Sequence, residues 1–152
     1  MPYDFHTSRT VEFVDTDMAG IVHFSNFFRW MESAEHELFL SLGVRLHEEV
    51  DGVMHGYARV VAHCEYTAPV SYGDTLDVHV VVTHKSERSL GYGFAFAVER
   101  DGGRVEVALG TLRVVCVRRV DDGSMKAAPL PEAVASQLSV APAELLARFP
   151  SG

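Results

Sequence analysis

Residues 14–30, VDTDMAGIVHFSNFFRW, hold the side chains best placed to do chemistry. Asp15 and Asp17 flank Thr16 in a short connection between a strand-like run and the start of a helix-like one. An aspartate there commonly serves a turn. The alternative is that one carboxylate works on a substrate, as a nucleophile or as a base drawing a proton from water. The residues that follow suit such a use. Backbone N–H groups in the first turn of a helix lack intrahelical partners and carry partial positive charge. Ser25 or Asn26 could cap this helix, but three residues on stand Phe28 and Arg29, so no capping box closes its end. No G-x-S-x-G is present to supply a competing serine nucleophile. The eight histidines show no H-E-x-x-H or comparable spacing, so no metal site is expected.

The elements that must position this loop follow from hydrophobic period. Residues 8–14 alternate, with Val11 and Phe13 able to face a core, and predict a strand. From Asn26, Phe27, Met31, Ala34, Leu38 and Leu42 recur at intervals of three and four and predict a helix, ended by Gly43. Residues 44–56 read as mixed and loop-like. Strands are predicted over 57–67, 75–84, 90–99 and about 104–118, the last two joined by a hairpin at Asp101-Gly102-Gly103. In the strand over 90–99, Leu90, Tyr92, Phe94, Phe96 and Val98 share one face. The opposite face is Gly91, Gly93, Ala95 and Ala97, small enough for another element to approach closely or for a cleft. Residues 131–147 form a weaker helical tail, interrupted near Pro142. The simplest architecture is a curved antiparallel five-stranded sheet, four of its strands in a meander, wrapped around one long helix. Such a layer leaves an edge strand open to a second copy.

Bulk composition bounds the class. A chain of 152 residues with 47% hydrophobic and 22% charged residues suits one folded domain. Its formal net charge of −8 argues against general nucleic-acid binding, which needs a basic face. Cys64 and Cys116 lie in apolar strand-like runs and are expected as free, buried thiols of a reducing compartment. The N-terminal MPYDFHTSRT lacks a signal-peptide core, and no apolar run nears the ~20 residues that span a bilayer, so a cytoplasmic location and no membrane contact are expected.

The motif D-T-D-x-x-G-I-V with the aromatic-rich segment and helix after it, residues 11–43, resembles the hotdog-fold acyl-CoA thioesterases of the 4-hydroxybenzoyl-CoA thioesterase type. It is similar to the short-chain acyl-CoA thioesterases of the Tol–Pal cluster and to 1,4-dihydroxy-2-naphthoyl-CoA thioesterases. The P-x-x-x-G-D of APVSYGDTLDV fits the same family. The resemblance implies an α+β hotdog fold, in one domain over residues 1–152 with a core at about 8–120. It also implies a homodimer with active sites at its interface, commonly doubled to a homotetramer, and no cofactor beyond the coenzyme A of the substrate.

Carried over by position, Asp17 is the catalytic carboxylate, the backbone N–H of Phe24 polarises the thioester carbonyl, and Ser25 stands beside it in the catalytic group. Gly20 lets the loop fold tightly beneath the substrate. His23, Asn26 and Glu32 fall at substrate-binding positions. His23 stands where the family usually has Tyr or Trp, and Phe24 replaces a common Tyr or His. Asp15 is expected to hold loop N–H groups. Arg88, then Lys85, in the turn between two strands, are the candidates for the coenzyme A phosphates. Two further readings stay open: a hotdog hydratase or dehydratase of acyl thioesters, and a non-catalytic acyl-CoA or acyl-carrier-protein binding module.

Overall fold

The computed structural model describes residues 1–150; the last two residues of the C-terminal tail expected over 121–152 lie outside it. Its seven strands are β1 (Asp4–Thr10), β2 (Glu48–Val50), β3 (Val53–Tyr66), β4 (Thr75–Lys85), β5 (Ser89–Arg100), β6 (Gly103–Arg119) and β7 (Met125–Ala127). Its helices are α1 (Asn26–Ser41), α2 (Glu132–Ala135) and α3 (Ala143–Leu146). The strands form one antiparallel sheet in the order β1-β4-β5-β6-β3-β2, with β7 on β6. Register shifts in β3, β4 and β5 curl it. Helix α1, about 24 Å long, lies on the concave face. Among the described residues no helix is long and apolar enough to cross a membrane.

Several expectations need correction. The sheet has seven strands, not five, because two three-residue strands extend it. One of these, β2, forms a hairpin with β3 through Asp51-Gly52, both at positive φ, inside the segment read as a loop. The four later strands are not one meander. Only β4, β5 and β6 are consecutive neighbours, and β3 pairs on the far side of β6. The first strand ends at Thr10, earlier than its alternation suggests. Val11 exchanges backbone bonds with Gly73 and Asp74, and a 3₁₀ turn over Phe13–Asp15 follows. Val11 is therefore buried, whereas Phe13 is 78% exposed.

Between α1 and the sheet, the predicted stripe holds: Phe27, Met31, Ala34 and Leu38 are buried, and Leu42 packs partly against the same core. The helix comes close at Gly110, where an added Cβ would stand 2.1 Å from the Met31 methyl. The inner face of β5 is fully buried as expected. Its small outer face receives a close approach from the C-terminal segment, whose Phe149 ring lies 2.5 Å from where a Gly93 Cβ would be. Val81, Ala95, Ala141 and Phe149 make a second small core there. Both cysteines are free; Cys116 is buried and Cys64 partly so.

One charged side chain lies wholly inside. Glu35 of α1 has no exposed surface, and its carboxylate pairs with Arg59 of β3. Its second oxygen and the nearby hydroxyls of Tyr57 and Tyr92 have no partner in good hydrogen-bond geometry among the described residues. Burial pushes its carboxyl up to about 7, against the opposing pull of the Arg59 guanidinium.

Two outcomes follow from these contacts. Gly93→Val expels Phe149 from the outer face and costs on the order of 1–3 kcal/mol, measured by urea unfolding. Glu35 binds its proton more tightly folded than unfolded, so its contribution to stability is complete below about pH 4.5 and lost as pH rises through about 7. Glu35→Gln removes that loss. The stability difference between variant and wild type moves toward the variant by roughly 3 kcal/mol between pH 5 and 8. A difference that does not vary with pH would mean that Glu35 is ionised throughout.

Candidate active site

The loop between β1 and α1 is held from within. The Asp15 carboxylate accepts the Glu12 N–H at 2.8 Å. The Asp15 carbonyl accepts both the His23 N–H at 2.9 Å and the Asn26 side-chain amide at 2.8 Å. Between these anchors the chain doubles back: Asp17 N–H donates to the Ile21 carbonyl, and Gly20 N–H to the Asp17 carbonyl. Gly20 closes this turn at φ 81°, a conformation few other residues adopt without strain. A bond from Val22 N–H to the Val70 carbonyl fastens the loop to the strand connection beside it.

Asp17, half-buried, uses one carboxylate oxygen to accept the Ala19 N–H at 2.8 Å. Its other oxygen takes no hydrogen bond among the described residues. The turn role and a chemical role are thus compatible in one side chain.

The helix start differs from the expected cap. Ser25 occupies the N-cap position without a side-chain cap bond. The first turn tightens instead, with Asn26, Phe27 and Phe28 N–H groups donating to the carbonyls of His23, Phe24 and Ser25. The Ser25 N–H goes to His23 Nδ1 at 3.3 Å. Phe24 N–H alone in this stretch has no acceptor among the described residues. Its carbonyl is fixed by the Tyr66 hydroxyl at 2.9 Å, a positioning contact from β3 that the sequence pattern did not reveal.

His23 Nδ1 also meets Ser25 Oγ at 2.7 Å. Because an N–H donates to Nδ1, Nδ1 is the acceptor, and a neutral ring carries its proton on Nε2. The His23 ring stacks on that of Phe24 at 4.7 Å. An apolar groove of roughly 350 Å³ opens beside Phe24, lined by Ile21, Val22, Phe27, Tyr66 and Pro69 among others.

The remaining candidates lie elsewhere. Glu32 borders a separate cavity of about 330 Å³ with His36, Tyr57 and Arg59, and stands 3.6 Å from Arg59. Lys85 and Arg88 lie at the opposite end of β4 from the Asp17 loop. That loop leaves β1 where Thr10 pairs with Thr75, and the ten steps of β4 to Lys85 span about 33 Å. The Lys85 ammonium is engaged by the carbonyls of Ala135 and Leu138, at 2.5 and 2.7 Å. Arg88 is exposed and makes no ion pair among the described residues.

Comparison with known proteins agrees with this geometry. Residues 11–138 match the family model of the thioesterase-like superfamily. A 1,4-dihydroxy-2-naphthoyl-CoA hydrolase of Prochlorococcus marinus is 30% identical over 136 residues, 85% of this chain and 83% of that protein. A 4-hydroxybenzoyl-CoA thioesterase of Pseudomonas sp. (strain CBS-3) is 26% identical over 101 residues, 65% of this chain and 72% of that one. The solved structure of a mutant 4-hydroxybenzoyl CoA thioesterase complexed with 4-hydroxybenzoyl CoA shares the fold at a TM-score of 0.80, covering 91% of this chain and 100% of that one at 19% identity. A sheet curled on one central helix, a D-x-D loop ending at a helix start and a family match along most of its length identify the chain as a hotdog-fold enzyme of the thioesterase-like superfamily.

Proposed function

We propose that the protein hydrolyses the thioester of an aryl-CoA, or of a short- to medium-chain acyl-CoA, to the free acid and coenzyme A. The observation that carries this reading is the pairing, within one pinned loop, of a carboxylate oxygen of Asp17 and the Phe24 N–H, both without partners among the described residues. A thioester carbonyl is electrophilic because sulfur donates little electron density to it. Asp17 attacks that carbon, or takes a proton from the water that does. Negative charge gathers on the carbonyl oxygen, where the Phe24 N–H donates to it. Expulsion of the coenzyme A thiolate follows. In the first route water then cleaves a mixed anhydride and regenerates the carboxylate. The related complex with 4-hydroxybenzoyl CoA was obtained with an aspartate replaced by asparagine, as expected where a carboxylate is needed for turnover.

Ser25 orients His23, whose Nε2–H is left to bond a polar substituent of the acyl group. Gly20 and Asn26 hold the loop that receives it. The names of the relatives favour an aromatic acyl group, and the apolar groove beside Phe24 suits one.

Glu32 and Arg88 enter through a second copy. β3 is paired with β2 only at Val53–His55, so its edge is open from Gly56 to Tyr66. Antiparallel pairing of two such edges sets the Gly56 end of one copy beside the Tyr66 end of the other. The Glu32 cavity, bordered by Gly56 and Tyr57, belongs to the first end, as does the Arg88 turn, whose carbonyl accepts the N–H of Cys116 opposite Tyr57. The Phe24 groove belongs to the second. One site thus draws its carboxylate from one copy and its coenzyme A contact from the other, in a dimer or a pair of dimers.

Asp17→Asn is expected to lower kcat by about 10²–10⁴-fold on benzoyl-, hydroxybenzoyl-, naphthoyl- and C4–C12 acyl-CoAs alike, with the fold intact by circular dichroism. Full activity on any of them would overturn the assignment. Hydration of 2-enoyl-CoAs, or tight binding of the whole panel without turnover, would favour the hydratase or binding-module reading. Arg88→Ala is expected to raise KM for acyl-CoA about tenfold, with kcat nearly unchanged and no such effect on a truncated pantetheine thioester.

A further inference from the structure

The convex face of the sheet, turned away from α1 and the Asp17 loop, carries a cluster the thioesterase reading does not use. His6 of β1 and His79 of β4 are direct register partners across the pair. Asp4, two residues before His6, projects to the same face. The Asp4 carboxylate oxygen Oδ2 lies 2.9 Å from His79 Nε2 and 3.7 Å from His6 Nε2. The two imidazole rings stack with centroids 4.0 Å apart and planes 9° from parallel. The potential ligand atoms of all three residues lie within 4.8 Å of one another. His79 opposes Ala95, which belongs to the outer cluster with Val81 and Phe149, so the group sits beside the C-terminal segment.

We propose that Asp4, His6 and His79 form a three-ligand site for a divalent transition-metal ion of the Zn²⁺ type, which staples the edge strand β1 to β4.

The donor set, two imidazoles and one carboxylate, is that of borderline metals. Two ligands each about 2.0–2.2 Å from a tetrahedral ion stand about 3.4 Å apart, and the separations of 2.9 and 3.7 Å from Asp4 bracket that value. The nitrogen lone pairs of stacked rings lie in parallel planes. One ring must therefore tilt for both to meet an ion, and His6, 69% exposed, has the room to do so. His79 is held by its bond to Asp4 and is only 12% exposed. On binding, its proton moves from Nε2 to Nδ1 and the bond to Asp4 gives way to coordination by both. Arg148 also faces this group and opposes a cation, but its guanidinium is paired with Glu106 at 3.0 Å. With three protein ligands the remaining positions go to water. The site is independent of the catalytic reading, and its failure would leave that reading untouched.

Calorimetric titration of tag-free full-length protein with zinc chloride, in a non-chelating buffer at pH 7.5, tests the assignment. The wild type is expected to bind one equivalent and to unfold at a higher temperature with the metal than without it. His6→Ala, which removes an exposed ring and little packing, is expected to weaken binding by roughly 100-fold or more and to abolish the thermal shift. Asp4→Asn should do the same. An absence of stoichiometric binding by the wild type overturns the site, and so does any smaller change in either variant.

Discussion

The arrangement of the candidate site depends on one backbone carbonyl. The oxygen of Asp15 accepts two hydrogen bonds, one from the N–H of His23 and one from the side chain of Asn26, the first residue of α1. These bonds close the loop onto the helix start, and the Asp15 carboxylate ties its near end back to Glu12. With both ends fixed, the chain between them has few places to go. The Gly20 turn sends Asp17 back on itself, and the tightened first turn of α1 engages every N–H near it except that of Phe24. The two aspartates therefore divide the work. Asp15 ties the loop together with its carbonyl and one carboxylate oxygen, whereas the Asp17 carboxylate bonds only within its own turn, to the Ala19 N–H.

A shortage of partners marks the helix as well. α1 lies close against the sheet, and Gly110 under Met31 permits that approach. The same closeness encloses Glu35, whose carboxylate is paired with Arg59. Arg59 reaches it from the β3 strand that also carries Tyr66, the residue fixing the Phe24 carbonyl. Removing charges from water near a packed helix is unfavourable. Here it sets one titrating group between the core and the cavity that Glu32 and Arg59 share.

What could be read from the sequence was what lies close along the chain. The helix, its buried stripe and its end at Gly43 follow from a period of three to four residues. The buried inner face of β5 follows from strict alternation. The Asp51-Gly52 hairpin carried the same signal as Asp101-Gly102, but its flanking strand is too short to show a period. The end of β1 does not follow from period, because alternation continues through Phe13 while the backbone turns at Val11 to bond Gly73 and Asp74, far along the chain. Long-range pairing also hid the place of β3 beside β6, the hold of Tyr66 on Phe24 and the meeting of Asp4 with His79. Lys85 looked like a phosphate ligand by residue type and turn position. Only the folded tail shows its ammonium satisfied by backbone carbonyls.

That tail explains why the far end of β4 is built as it is. The amides of Ser139 and Val82 donate to the carbonyls of Pro2 and Tyr3, Ala141 N–H donates to the Val82 carbonyl, and Leu130 N–H to that of Glu87. The two ends of the chain thus close over the last turns of β4, with Lys85 beneath them. An edge strand such as β1 gains bonds from only one sheet neighbour, and here the C-terminal segment supplies the others. Phe149 seats that segment on Gly93, and Arg148 beside it faces His79. The small outer face of β5 is thus the footing on which both termini are joined. None of its contacts is among those that hold the Asp17 loop, so this junction and that loop rest on separate sets of contacts.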